Sequence, residues 1–257
     1  NAPYRSLDLG DCTGDSRRCL STASTEKHPG FDLSFVEFSE RGNLFDQSVR
    51  ADVLARVGAD AKAGALVVVF VHGWQHNADP EDDNVRSFRK ALAALSASKV
   101  GGDRRIHGVF VGWRGLGWII PGINLLTYWD RKTIAEEVGG GGLTDFLADL
   151  ESTTRRFSDT SLVVIGHSFG GAAVLAALND VLLTRLNAVA NLPPNTHGRA
   201  VFGDGVILLN PAIEANQAFQ LKELSLRIGE RGGTGARSLH VLSSEGDFAT
   251  HVAFPAG

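Results

Sequence analysis

The sequence predicts an α/β fold: a doubly wound, mostly parallel sheet with helices on both faces. Three observations carry this. Apolar runs of strand length recur at 65–71, 106–113, 161–166, 204–210 and 238–242, with helical stretches or long connections between them. The run Ala65-Leu-Val-Val-Val-Phe-Val71 is continuous rather than alternating, as a strand covered on both faces requires. Between the runs, apolar residues fall at helical spacing, at Val49, Val53, Leu54 and Val57 and again at Val85, Phe88, Leu92 and Leu95.

Taken in order, residues 1–30 are rich in Ser, Thr, Asp and Arg without periodicity, and read as an extended N-terminal arm laid over a domain spanning 31–257. Phe31, Leu33, Phe35, Val36 and Phe38 form a short strand, and a helix occupies 46–57. After the strand at 65–71, a helix starts near Asn84 with Asp82 or Asp83 as its cap. Gly139 to Gly142 is a run of four glycines. It neither follows a strand nor ends in the Lys-Ser/Thr of a phosphate-binding loop, so it reads as a flexible turn. No self-similarity of repeat-protein length is present.

Composition narrows the function classes. With 257 residues, 43% hydrophobic and 21% charged, the chain fits one globular domain and not a disordered, collagen-like or coiled-coil protein. Lys+Arg 25 against Asp+Glu 29 gives a net charge of −4, so no positive field exists for a phosphate backbone or an anionic bilayer, and nucleic acid is not an expected partner. No unbroken apolar run is longer than that at 65–71, far short of the ~20 residues that cross a bilayer, and no transmembrane segment is expected. The chain starts at Asn1, contains no Met and has no charged-then-apolar leader, so an export signal is expected either to have been removed or never to have existed. Cys12 and Cys19 either close a small disulfide loop or remain free thiols; the first case tilts the compartment toward export, and otherwise the compartment is open. Two sulfurs with His28 as the nearby imidazole do not make a structural zinc site, and no metal or cofactor is expected.

Gly166-His167-Ser168-Phe169-Gly170 fits G-x-S-x-G, and its surroundings give the match weight. A buried strand at 161–165 precedes it and an apolar helix at 171–178 follows. A serine at so sharp a bend has a strained backbone, and side chains two residues either side would collide with the neighbouring strand or helix. The bend presents the hydroxyl at the carboxyl edge of the sheet, over a helix N-terminus whose free N–H groups favour a developing oxyanion. The Phe169 N–H is one expected donor. Val71-His72-Gly73-Trp74 begins the loop after an earlier strand, where glycine allows close backbone approach, and the Trp74 N–H is the expected second donor. His72 and His76 are four apart, but on a glycine-containing loop that lacks the Glu of H-E-x-x-H, so a metal pair is not expected.

The pairing of these two motifs resembles the α/β-hydrolase superfamily, the esterases and lipases among others. More narrowly, His72-Gly-Trp-Gln-His-Asn-Ala78, Phe110-Val-Gly-Trp-Arg-Gly115, Tyr128-Trp-Asp-Arg-Lys132 and Asn210-Pro-Ala-Ile-Glu-Ala215 look like one subgroup of such hydrolases. The likeness runs from about Phe31 to Phe254 and implies the fold and a serine mechanism, without naming a substrate. It also implies the chain order Ser, acid, His. Asp247, just past the strand ending at Leu242, is the expected acid; Glu245 is the alternative, and Asp204 lies at the wrong edge of the sheet. The base is either His251, four residues further, or a histidine on a last strand and loop beyond Gly257, with an upstream residue such as His197 as the remaining choice.

Gly115 to Trp129 carries no charge across fifteen residues, and within about 114–142 it reads as an apolar lid or cap, with Trp118, Ile119 and Leu125 lining an acyl pocket; the competing reading is an irregular core segment. Arg114 and Arg131 flank it and are expected to pair with Asp130 or nearby acids rather than to bind a ligand. The expected partner is a small ester with an apolar acyl or alcohol part, with contact to lipid open. Thioesters or amides, and a catalytically inactive fold used for binding, are the competing readings.

Overall fold

The computed structural model describes residues 3–5, 12–13, 23–39, 41–73, 76–100, 102–113, 139–193, 195, 198–231 and 239–244. The strands are β1 (Cys12–Thr13), β2 (Thr25–His28), β3 (Phe31–Phe38), β4 (Ala65–Val71), β5 (Arg105–Trp113), β6 (Ser161–His167), β7 (Gly205–Leu209) and β8 (Leu239–Leu242), and the apolar runs read from the sequence account for β3 to β8. Between them lie α1 (Gln47–Lys62), α2 (Asp83–Ser98), α3 (Thr144–Thr154), α4 (Phe169–Ala190) and α5 (Phe219–Glu230).

Among the described residues these strands make one sheet in the order β1-β2-β3-β5-β4-β6-β7-β8. Neighbours from β3 to β8 are all parallel, and β2 runs antiparallel to β3. The expected doubly wound sheet is therefore present. The alternation of side chains assigns each face. Val67, Val69, Val71, Val109, Val111, Leu162 and Val164 turn to the side covered by α1, α3, α4 and α5, while Leu33, Phe35, Val68, Ile106 and Phe110 pack with Val85, Phe88 and Leu92 of α2.

The helices start where short acceptors allow. The Asp46 carboxylate accepts from the Ser48 and Val49 N–H groups at the head of α1, and Asp82 accepts from Asn84 at the head of α2. α4 is long and apolar enough to cross a membrane by length and composition alone. In this fold its apolar residues are used on the sheet: Phe169, Ala173, Val174, Leu178, Leu182 and Leu186 are all buried in the main core.

Two details differ from the sequence reading. Within the arm, Thr25–His28 is not laid over the domain but extends the sheet edge, because Glu26 fills an interior position with its charge met by Arg89 (Nε and Nη2 each 2.9 Å). The glycine run is closely packed rather than loose. Gly142 donates to the Gly42 carbonyl at 3.0 Å, and a Cβ there would lie 2.7 Å from that oxygen, so the residue entering α3 has no room for a side chain, while Gly140 faces open space. Of the cysteines, Cys12 contributes backbone to β1; its side chain and Cys19 lie outside the described residues.

Candidate active site at the turn after β6

Ser168 stands between the last residue of β6 and the first of α4, at φ 54° and ψ −121°, a region that non-glycine residues avoid. The surrounding bonds over-determine this conformation. Its N–H donates to Leu209 of β7 at 2.9 Å, and its carbonyl accepts from Gly171 (2.9 Å), Ala212 (3.0 Å) and Ala172 (3.3 Å). The flanking glycines are required by contact. A Cβ at Gly170 would lie 2.1 Å from the Val71 carbonyl oxygen, and one at Gly166 would lie 2.7 Å from that of Gly170. The Ser168 residue is itself partly exposed, and its hydroxyl has no hydrogen-bond partner among the described residues. Phe169 is the first residue of α4, at the helix end where main-chain donors face outward.

The loop leaving β4 comes to the same point. Gly73 lies so close that a Cβ there would be 2.9 Å from the Ser168 Cβ and 3.1 Å from the His167 carbonyl oxygen. His72 fixes this loop from below. Its Nδ1–H donates to the Gly73 carbonyl (2.7 Å), its Nε2 accepts from the Trp113 N–H (3.0 Å), and its carbonyl accepts from the Trp113 indole (2.8 Å). Burial lowers the imidazole pKa to about 4, against the bond to the Gly73 carbonyl that raises it, so the ring is neutral at pH 7. On the far side, the His76 Nδ1–H donates to Asp82 (3.1 Å), which also accepts from the Asn77 N–H (3.2 Å). Both His72 nitrogens are thus committed to backbone and His76 to a carboxylate, so the pair braces a loop and does not converge on an ion.

A sequence model of the alpha/beta hydrolase family matches residues 68–256, most of the chain, including both Gly73 and Ser168. The chain belongs to the alpha/beta hydrolase family. No curated protein and no solved structure matches it.

For this alpha/beta hydrolase, the structure brings Ser168 and Phe169 together with Gly73 at the carboxyl edge of the sheet. The other site residues expected from sequence, Trp74, Trp118, Ile119, Leu125, Asp247 and His251, lie outside the described residues, as do Glu245 and His197. Asp204 is at the opposite edge, where it accepts from the Leu162 N–H at 2.8 Å.

Toward that opposite edge lies a Ser–His–Asp chain that sequence reasoning missed. Ser34 Oγ lies 3.0 Å from His107 Nε2, and His107 Nδ1 lies 2.7 Å from Asp60. Ser34 and His107 are both 0% exposed, so no substrate reaches this hydroxyl. Ser34 also bonds Thr25 Oγ1 at 2.9 Å, which ties β2 to the sheet. Asp32, Asp60 and His107 bring ligand-type atoms within 4.8 Å of one another, but Arg105 already bonds Asp32 (2.8 Å) and Asp60 (3.2 Å) and supplies the countercharge. Spacing in sequence gives no signal for this network, since its members come from β3, β5 and the end of α1.

Proposed function

We propose that this hydrolase cleaves carboxylic esters through an acyl-enzyme on Ser168. The observation that carries the reading is the over-determined, positive-φ serine, partly exposed and with the Gly73 backbone against its Cβ. A chain holds such strain where the side chain must be presented, and a packed loop beside it supplies main-chain donors that need no reorganisation.

In the proposed reaction Ser168 Oγ attacks the ester carbonyl carbon while a histidine takes its proton, and the oxyanion is held by the Phe169 and Trp74 N–H groups. The alcohol departs with the proton returned by the imidazolium, and water then cleaves the acyl-serine by the same path. Asp247 orients the imidazole, which belongs to His251 or to a histidine beyond Gly257. The reach of the chain supports this acid. Leu209, whose carbonyl holds the Ser168 N–H, pairs with Leu242, so the path out of β8 starts two strand spacings, about 10 Å, from the nucleophile. Three residues from Ser244 to Asp247 span up to about 10 Å. The uncharged stretch with Trp118, Ile119 and Leu125 favours an apolar acyl or alcohol part.

The test is turnover of p-nitrophenyl esters of increasing acyl length by the wild type and Ser168→Ala. Loss of turnover with an unchanged fold is expected. Turnover unchanged in Ser168→Ala refutes the proposal, and a preference for thioester or amide analogues moves the same site to those substrates.

A further inference from the structure

We propose that Arg5 is a positioning residue for the loop that faces Ser168, which makes the N-terminal segment part of the catalytic unit; this rests on the reading of Ser168 as the nucleophile. Arg5 is 2% exposed, a costly place for a guanidinium unless its donors are met. Its Nη1 and Nε are held by three different parts of the fold. Nη1 bonds Glu26 (3.1 Å) and the Ala23 carbonyl (3.4 Å), the cation stands 3.7 Å over the Phe35 ring, and Nε donates to the Ala78 carbonyl at 2.9 Å. The backbone around it is tied as well, since the Tyr4 and Arg5 N–H groups both donate to the Glu37 carboxylate at 2.9 Å.

Charge balance does not explain this insertion. Glu26 already receives two bonds from Arg89 and one from His28 at 3.0 Å. What Arg5 adds is a buried donor for Ala78, and Ala78 lies five residues past Gly73, the glycine packed on the nucleophile. Ala78 is 1% exposed and is backed by Gly112, where a Cβ would lie 3.0 Å from its own. The loop is therefore clamped at three points: His72 at its start, Asp82 on Asn77 and His76, and Arg5 on Ala78. The third clamp comes from the N-terminal segment, 73 residues upstream, and it acts on the main-chain geometry from which an oxyanion donor is presented.

Arg5→Met keeps an apolar stem over Phe35, leaves Glu26 paired with Arg89 and removes the donor. We expect kcat for p-nitrophenyl esters to fall about ten-fold with KM unchanged, because the misplaced donor matters most when the oxyanion forms. Amide hydrogens of 76–82 should exchange faster in the same variant. In the folded variant, either kcat at the wild-type level or loop exchange at the wild-type rate overturns the proposal. Should Arg5→Met fail to fold, Arg5→Lys, which keeps the charge beside Glu26, carries the same two measurements. A wild type that turns over neither esters nor their thioester or amide analogues would refute the nucleophile reading, and the exchange experiment would still decide whether Arg5 holds the loop.

Discussion

His72 should make the hydrolase lose stability on mild acidification in a way that one substitution removes. In the folded chain the imidazole is fully buried, its Nε2 taken by the Trp113 N–H, and its pKa is lowered from 6.5 to about 4 by burial. The unfolded chain therefore takes up a proton near pH 6.5 that the folded chain refuses until about pH 4. The unfolded state binds more protons inside that window, so stability is lost as the pH falls through it and is unaffected by this group above it. The displacement is worth about 3 kcal/mol over the window, a large share of the stability of an ordinary domain. Because the group is buried, solvent screening does not reduce the figure. His72→Gln keeps an acceptor for Trp113 and a donor for Gly73 but cannot titrate. Urea unfolding of both proteins between about pH 7.5 and about pH 4 should show the wild type losing about 3 kcal/mol more than the variant. Carboxylates held low in the fold, such as Asp82 and Glu151, lose stability in both proteins and cancel in the difference. Parallel loss in the two proteins would refute the assignment of His72 as a buried neutral brace.

Other outcomes follow from the same structure. Gly73→Ala places a Cβ 2.9 Å from that of Ser168, so ester turnover should fall about 100-fold while the melting temperature, read by calorimetry, shifts by only a few degrees. Glu26→Gln leaves Arg5 and Arg89 facing a neutral group and should lower the unfolding free energy by about 3 kcal/mol in urea titrations. In the wild type that carboxylate is held to a pKa of about 2, despite burial that raises it, by His28, Arg89 and Arg5; its contribution is present above about pH 4.5 and fades as the pH falls toward 2. Ser34→Ala should leave turnover at the wild-type level and cost about 1–2 kcal/mol, since it breaks only the sealed bonds to His107 and Thr25.

What could be read in the sequence was what depends on near neighbours. The run at Ala65–Val71 and the bend at Gly166 to Gly170 advertise a buried strand and a strained turn because each is specified within a few residues. The cap of α2 was legible for the same reason, as Asp82 or Asp83, and the structure uses Asp82. β2 was not, because Thr-Glu-Lys-His has no apolar alternation and its inward Glu26 is made tolerable by arginines 21 residues before and 63 after it. The bracing role of His72 was not legible, because Trp113, whose N–H its Nε2 accepts, lies 41 residues on. The sealed Ser34–His107–Asp60 chain carries the same three residue types as a catalytic triad, and burial within a regular strand tells it from the strained, partly exposed serine at the sheet edge.

The account turns on Ser168 being the reactive hydroxyl. Treating the hydrolase with a fluorophosphonate and mapping the adduct by peptide mass spectrometry tests this directly. The account predicts one adduct per chain, on Ser168, and none on Ser34. An unlabelled chain, or an adduct on any other serine, would contradict it.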